Sequence, residues 1–294
     1  MRVRSFVKLF IPPIIMEMFY TLRDRFTKIE DNPLPQIEHG SKEFIVIGNG
    51  PSFKETLARY QDKMLGKDMV VVNSFASTEA YELLKPSFYL MTDPIFYSIP
   101  EYCKNTIWND INNICEKTMW PMYVILLSWG KGRPIAEALS RNKNIQVVFL
   151  QNNHIIPNKM SQYEAWDKNF TVPHGQTVLN TALYLGLYWN YKEIYLIGAD
   201  SSFFEDIRID QNTNEIWTID SHFFDNNKIY KDKGFFDKSK GLLRDDIALH
   251  ELIFRYGRMF EDYYELEKYA QYKGAKVYNA SEYSWINVFE RKKL

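Results

Sequence analysis

The chain has 294 residues, a net charge of −1 and 46% hydrophobic residues. This length suits one large α/β domain, or such a domain with a sizeable insertion. The small net charge argues against a general nucleic-acid-binding surface, so we expect no nucleic-acid partner. No apolar run reaches the ~18 residues of a membrane span. Cys103 and Cys115, the only cysteines, lack metal-like spacing and are typical of a reducing, cytoplasmic environment.

Residues 1–30 form a basic amphipathic segment. Arg2, Arg4 and Lys8 precede an apolar stretch at 9–16 that has no small-residue cleavage site, which argues against a signal peptide. The pattern predicts peripheral contact with the inner face of the cell membrane. The alternative is a helix packed on its own domain or on a partner subunit, and self-association into a homo-oligomer is left open. Residues 31–35 are interpreted as a linker, which divides the chain into a segment 1–35 and a domain 36–294.

A strand, a glycine turn and a helix are predicted between residues 44 and 63. Apolar residues at 44–47 indicate a buried strand, and Ser52 with Glu55 three residues later matches the capping box that opens a helix. The turn between them consists of Gly48, Asn49, Gly50 and Pro51. Free backbone N–H groups and the positive end of a helix dipole at this point suit a phosphate. The alternative is a tight turn that binds nothing.

Strands and helices alternate along the rest of the domain. This predicts an α/β fold with a mostly parallel sheet and helices on both faces. The predicted strands are 44–47, 69–72, 87–91, 122–127, 145–149, 194–197 and 276–278, and the predicted helices include 52–63, 76–84, 134–140 and 176–189. Ligands of such sheets bind outside the carboxyl ends of the strands. The candidate site residues are therefore those that directly follow strands, at 48–52, 73–74, 92–93 and 198–202.

Residues 199–241 break the alternation with a long polar and aromatic run. An irregular segment of this length inside a domain is usually functional or disordered, and its aromatic content argues against disorder. We interpret it as a lid over the strand ends, followed by a long helix at about 242–272 with one face on the core. Aromatic residues make up 16% of the chain, which suits stacking on rings or sugars. An AT-rich coding sequence gives the same composition.

Asn73 and Asp93 follow consecutive predicted strands. An Asn side chain can donate to and accept from a base or ribose, and an Asp side chain can bind hydroxyls. Ordinary turn chemistry is the alternative for both. A second anion-friendly point is predicted where the helix at 176–189 begins, although a simple helix cap by Thr177 explains the same pattern. That point is formed by Pro173, His174, Gly175, Gln176 and Thr177.

His222 lies inside the predicted lid and is the candidate general base, because an imidazole titrates near neutral pH. Asp220 or Asp225 can orient it. The alternative is a structural histidine. The sequence has no phosphate-binding P-loop, no Gly-x-Ser-x-Gly nucleophile elbow, no Asp-x-Asp metal clamp and no zinc-like His or Cys spacing. We therefore expect neither a metal nor a cofactor.

Two blocks resemble the bacterial sialyltransferases of glycosyltransferase family 42, which use CMP-sialic acid. The first is the run Ile45 to Glu55, and the second runs from Gly186 to the Gly-x-Asp aspartate, Asp200. The similarity covers roughly residues 44–93 and 173–202. It implies a GT-A-like, Rossmann-type single domain with a lid at about 199–241, working without a metal.

The resemblance also implies roles for residues. Asn49 and Asn73 match the family's nucleotide-contacting asparagines, and Asp93 stands where the family has another asparagine. The block of Gly175, Gln176 and Thr177 lies near the family's Thr-Ser-Gly donor block, and His222 matches its lid histidine. The family has a tyrosine two residues after the Gly-x-Asp aspartate to assist the departing phosphate, and this chain has Ser202 there. Tyr230 or His174 can take that role, or the helper is absent.

By this resemblance the chain is an inverting, metal-independent glycosyltransferase. It would move a sialic-acid-like or Kdo-like sugar from a CMP-sugar co-substrate to a glycan or glycolipid acceptor, in surface polysaccharide or lipooligosaccharide synthesis. The Gly-Asn-Gly-Pro-Ser start also resembles the pterin pyrophosphokinase-like proteins associated with flagellin glycosylation. A metal-dependent phosphoryl transferase and a nucleotide-binding protein without chemistry are therefore the two alternatives.

Overall fold

Eight parallel strands form the central sheet of the computed structural model. The structure describes residues 33–37, 41–99, 101–152, 156, 160–173, 177–220, 222–224, 228–231, 236–237, 242–243 and 248–294. The amphipathic segment 1–30 and the candidate residues His174, Gly175 and Gln176 lie outside these ranges.

In chain order the strands are β1 (Glu43–Ile47), β2 (Asp68–Val72), β3 (Phe88–Met91), β4 (Met122–Leu127), β5 (Ile145–Leu150), β6 (Glu193–Ile197), β7 (Arg208–Ile209), β8 (Ile216–Asp220), β9 (Lys228–Lys231), β10 (Phe236–Asp237), β11 (Leu242–Leu243), β12 (Lys276–Asn279) and β13 (Glu290–Arg291). The helices are α1 (Phe53–Met64), α2 (Glu79–Leu84), α3 (Ile95–Ser98), α4 (Lys104–Lys117), α5 (Pro134–Leu139), α6 (Gln162–Asp167), α7 (Val178–Tyr188) and α8 (Leu249–Tyr272). Short 3-10 turns lie at Asn73–Ser77, Glu101–Cys103, Ser128–Gly130 and Phe203–Asp206.

The sheet has the strand order β13-β12-β6-β1-β2-β3-β4-β5, and all its neighbouring strands are parallel. This confirms the predicted α/β fold. The last four residues of β1 and all of β3 are buried, as expected of parallel strands covered on both faces. From β1 the chain adds β2 to β5 on one side and later β6, β12 and β13 on the other. The order of addition therefore reverses between β1 and β6, the position where open α/β sheets bind ligands.

All seven strands predicted from apolar runs are present, with boundaries within a residue or two. The short edge strand β13 was not predicted. The long helix begins at Leu249 and not near residue 242, because residues 242 and 243 pair with β10 as strand β11. The predicted irregular segment is also partly regular, since β7, β8 and β9 form an antiparallel sheet. Asp210 fixes its first hairpin by accepting the backbone N–H groups of Asn212 and Thr213 at 2.8 and 2.9 Å.

The described part of the segment that we interpreted as a linker packs on the domain. Leu34 is buried in the core, and its N–H donates to the Tyr188 hydroxyl at 3.0 Å. The Pro35 carbonyl accepts from Trp189 Nε1 at 3.2 Å. Residues 34 and 35 are therefore held at the end of α7. Among the described residues, no helix combines the length and the apolar character needed to cross a membrane.

The turns after β1 and β6 approach each other closely. The Gly48 N–H donates to the Ile197 carbonyl at 2.8 Å, and the Gly50 N–H donates to the Gly198 carbonyl at 2.9 Å. Gly198 has a φ of +61°, and a Cβ atom there would lie 2.4 Å from the Gly48 carbonyl oxygen and 2.8 Å from Phe53 Cβ. Only glycine fits this position, because the atoms that a side chain would meet include backbone.

We expect Gly198→Ala to lower the free energy of unfolding more than Gly274→Ala. Both glycines have a φ of +61°, but a Cβ atom at Gly274 would meet no atom within 4 Å. The left-handed backbone costs an alanine about 1–2 kcal/mol at either position, and overpacking at Gly198 adds about 1–3 kcal/mol. Urea unfolding of the two variants measures the difference. Equal losses would show that the β1 and β6 turns can separate without cost.

Candidate functional site

The carboxyl ends of β1, β2 and β6 bring three sequence-predicted residues to one edge of the sheet. Asn49 follows β1, Asn73 follows β2, and Asp200 lies three residues beyond β6. The edge lies at the reversal of strand order, so these residues form the candidate site. Its remaining parts come from the helix α1 N-terminus and from the segment 222–224.

Asp200 binds the N-terminus of α1. Its carboxylate accepts the Ser52 N–H at 3.1 Å and the Ser52 hydroxyl at 2.7 Å. Asp200 is buried, and this burial raises the pKa of its carboxyl, against the lowering effect of the hydrogen bonds from Ser52. The predicted capping box is therefore wrong, because the Ser52 side chain donates to Asp200 and makes no cap bond. Glu55 instead pairs with Arg59 one turn later, at 2.5 Å.

This contact changes what the glycine turn can bind. The N–H of Gly50 is bonded to Gly198 and that of Ser52 to Asp200. The Phe53 N–H donates to the Gly50 carbonyl at 3.0 Å, and Pro51 has no N–H to offer. The N–H groups of Gly50, Ser52 and Phe53 therefore do not meet the expectation that this turn presents free N–H groups to a phosphate. A buried carboxylate occupies the anion-friendly end of α1.

Asn49 and Asn73 lie side by side at the ends of β1 and β2. Asn49 Nδ2 donates to the carbonyl of Val72, the residue before Asn73, at 3.1 Å. Asn73 has a φ of +51°, and its carbonyl accepts the Tyr89 hydroxyl. Both Oδ1 atoms are buried and accept no hydrogen bond from any residue that the structure describes. Two acceptors in this state are unusual, because buried polar groups are nearly always paired.

Asp110 holds the turn that carries Asn73, a role that the sequence analysis missed. This buried carboxylate of α4 accepts the hydroxyls of Ser74 and Ser77, both at 2.7 Å. Burial raises the pKa of Asp110, and the two serines oppose that change. The spacing of the two serines is a weak signal, and no local pattern predicts that a helix 33 residues from Ser77 supplies the acceptor.

The segment 222–224, which lies inside the predicted lid, contacts the turn after β1. The Phe223 N–H donates to the Asn49 carbonyl at 3.0 Å. The Phe223 ring packs on Phe53 and Phe75, with centroid distances of 4.8 and 5.8 Å. His222 is half-buried, and its ring stacks on Phe224 at 5.2 Å. His222 is therefore the sequence neighbour of Phe223, whose backbone N–H is bonded to the Asn49 carbonyl.

Three other predicted residues have local roles. Asp93 is exposed, and its carboxylate accepts the Ile95 N–H at 3.0 Å, which is the turn chemistry that we gave as the alternative. Thr177 caps α7 by accepting the Leu179 N–H at 3.4 Å, which is again the alternative. The Ser202 carbonyl accepts the Glu205 N–H at 2.9 Å in the turn after β6.

The other lid residues are described only in part. Tyr230 pairs with Thr218 in the lid sheet, and Asp220 pairs with Lys228. The side chains of β9 and of Asp220 lie outside the described part of the chain, as does Asp225. Within the described ranges, no group of three or more His, Cys, Asp or Glu side chains is placed to hold a metal ion.

Comparison with known proteins gives no family assignment. No protein-family model matches the chain, and no curated protein is similar to it. Among solved structures, the chain is similar to the MAf glycosyltransferase from Magnetospirillum magneticum AMB-1, with 11% sequence identity and a TM-score of 0.47. The alignment covers 94% of this chain and 38% of that one. A similarity of this size says nothing about the activity of the present chain.

We expect Asp200→Ala to lower the free energy of unfolding by about 2–4 kcal/mol, because it leaves buried Ser52 donors unpaired. Asp200→Asn should cost under about 1 kcal/mol at pH 7, since Oδ1 can accept the Ser52 N–H and Nδ2 can donate to its hydroxyl. Chemical unfolding measures both. Equal losses in the two variants would contradict a role for these hydrogen bonds.

The same pair of proteins gives a pH test. Because the pKa of Asp200 is raised in the folded state, the folded protein binds more protons than the unfolded one between the ordinary value of ~3.9 and the raised value. Stability from this group therefore falls as the pH rises through that window. The stability of Asp200→Asn relative to the wild type should rise across the window and level off above it. A flat difference would contradict the raised pKa.

Proposed function

We propose that the chain is a glycosyltransferase that uses a CMP-sugar donor. The observation that carries this proposal is the pair of buried side-chain oxygens of Asn49 and Asn73 at the ends of adjacent parallel strands, which accept no hydrogen bond within the described part of the chain. Such acceptors fit a ligand rich in N–H and O–H donors, such as the amino group of cytosine and the hydroxyls of a ribose. The position next to the reversal of strand order supports a nucleotide site.

Charge limits how the donor can lie. Asp200 places a carboxylate at the α1 N-terminus, so a phosphate is repelled from the glycine turn if that carboxylate is ionised. The nucleoside would therefore face Asn49 and Asn73. Its phosphate would point toward the N-terminus of α7, which Thr177 caps. The Leu179 N–H is already bonded to Thr177, so a single phosphate, as in a CMP-sugar, would be held there by the helix dipole and the remaining N–H groups of the first turn, without a metal. Tyr230 and His174 remain the candidates to assist its departure, because Ser202 lacks a phenol.

His222 would act as the general base. The Phe223–Asn49 hydrogen bond supports this assignment, since it ties the neighbouring residue to the nucleotide edge. In the reaction, His222 takes the proton of the acceptor hydroxyl as its oxygen forms a bond to the anomeric carbon. The bond from that carbon to the phosphate oxygen breaks, and CMP leaves with the electron pair. Attack opposite to the departing group inverts the configuration.

The sugar would be sialic-acid-like or Kdo-like, and the acceptor a glycan or glycolipid at the inner face of the cell membrane. The basic residues of segment 1–30 support this location, because they suit anionic lipid headgroups.

The nucleotide site is tested by a thermal-shift comparison of CMP, UDP, GDP and ATP, in which CMP should stabilise the protein most. Asn73→Gly removes the side chain without straining the left-handed backbone. It should weaken CMP binding several-fold to about tenfold, the value of one hydrogen bond. Asn214→Gly is the matched control, because Asn214 is an exposed asparagine with a φ of +56°. Calorimetry that finds the same CMP affinity in both variants would place the nucleotide elsewhere.

The base is tested by His222→Ala, with His250→Ala as the control because His250 is exposed on α8. The first variant should reduce acceptor-stimulated release of CMP from CMP-N-acetylneuraminic acid by roughly 10²–10⁴-fold. CMP affinity should change little, since the base faces the acceptor. A His222→Ala protein with a normal melting temperature and near-normal turnover would remove His222 from the mechanism.

A further inference from the structure

An exposed aromatic cluster lies at the same edge of the sheet and takes no part in the reaction above. It joins the 3-10 turn after β6 to the loop between β12 and β13. We call it the aromatic platform, and it consists of Phe203, Phe204, Glu205, Tyr283 and Trp285.

A single carboxylate fixes the two largest rings of the platform. Glu205 Oε1 accepts the Tyr283 hydroxyl at 2.6 Å and Trp285 Nε1 at 2.9 Å, and Trp285 Nε1 also lies 2.8 Å from the Tyr283 hydroxyl. The Phe204 ring packs edge-to-face on Trp285 with a centroid distance of 4.6 Å. These contacts order the rings, so a ligand that stacks on them loses little free energy to the ordering of side chains.

The rings are nonetheless half exposed. Phe203 is 42% exposed, Tyr283 46% and Trp285 45%. A purely structural aromatic cluster gains stability by burying its rings, and this one leaves ring surface in contact with solvent. Glu205 is also exposed, and its Oε2 atom accepts no hydrogen bond from a residue that the structure describes. The platform thus combines open ring surface with a free acceptor.

The platform is linked directly to the candidate site. The Trp285 backbone N–H donates to the Asp200 carbonyl at 2.9 Å, and the Asp200 carboxylate holds Ser52 at the start of α1. A molecule stacked on Trp285 therefore lies on the β6 side of the reversal in strand order, while Asn49 and Asn73 lie on its β1 side.

We propose that the aromatic platform binds the acceptor glycan through a neutral sugar residue. This rests on the proposed function, since it supplies the acceptor for the same reaction. The apolar C–H face of a pyranose covers the Trp285 and Tyr283 rings, and a sugar hydroxyl donates to Glu205 Oε2. The carboxylate disfavours an acidic sugar at this position, because like charges repel.

The test uses a printed array of neutral and acidic glycans with full-length protein, followed by saturation-transfer NMR on the strongest binder. The wild type should bind neutral glycans. Trp285→Ala should weaken that binding about tenfold or more, and Glu205→Gln should weaken it several-fold. Tyr272→Ala is the control, because Tyr272 is an aromatic residue of α8 that is 58% exposed. It lies about 24 Å along the helix from Tyr256, the residue of α8 that stacks on Phe203 of the platform.

The outcomes separate this proposal from the previous one. The platform is supported if all variants keep the CMP affinity of the wild type while Trp285→Ala and Glu205→Gln lose glycan binding. If the protein does not bind CMP but its glycan binding depends on Trp285, the proposal for the platform stands and the proposed donor is refuted. No glycan bound by the wild type, or equal binding by Trp285→Ala, overturns the platform.

Two further results are decisive. If Trp285→Ala does not fold, Glu205→Gln gives the decision, because it keeps the size of the side chain, and unchanged glycan binding in it overturns the platform. A wild-type dimer in light scattering that Trp285→Ala or Glu205→Gln separates would make this surface a protein interface and also overturn the proposal.

Discussion

The contact between Asp200 and Ser52 organises the site. It joins the end of β6 to the start of α1 across 148 residues of chain, and it is supported by the close approach of Gly48 and Gly198. Since the backbone N–H and the hydroxyl of Ser52 at the helix terminus both donate to this one carboxylate, the contact restricts the conformation of the turn after β1. That conformation directs Asn49 toward β2, where its amide bonds the Val72 carbonyl. The segment 222–224 and the platform adjoin this arrangement through the Asn49 and Asp200 carbonyls, whereas Asp110 holds the turn that carries Asn73.

The sheet could be predicted from sequence because burial on both faces leaves apolar runs such as 44–47 and 122–127, which need no tertiary information. The capping box could not be predicted correctly, because Ser52 has a distant partner that outcompetes the local one. The role of Asp110 could not be predicted for the same reason, since it accepts the hydroxyls of Ser74 and Ser77 from a helix distant in sequence. The local turns at Asp93 and Thr177 followed their ordinary residue chemistry, so the simpler interpretation of each agrees with the contacts in the structure.

Unpaired buried acceptors are costly, and this gives the Asn49–Asn73 pair its meaning. Each buried oxygen without a donor costs about 1–3 kcal/mol relative to a paired one. Because the net free energy of folding is only a few kcal/mol, such atoms persist most readily where a bound ligand offsets their cost. Asp110 and Asp200 illustrate the contrast, since each is a buried carboxylate with two donors of its own. The two asparagine oxygens differ from these carboxylates, because neither accepts a hydrogen bond from a residue that the structure describes.

The lid contact couples the two halves of the site. Phe223 both donates to the Asn49 carbonyl and fills the space beside Phe53 and Phe75. Lifting this segment would break the Phe223–Asn49 hydrogen bond and expose a half-buried ring, and these two contacts together are worth a few kcal/mol. In the proposed reaction, a ligand that orders Asn49 would favour the position of this segment seen here, since Asn49 would contact the ligand through its side chain and holds Phe223 through its backbone carbonyl.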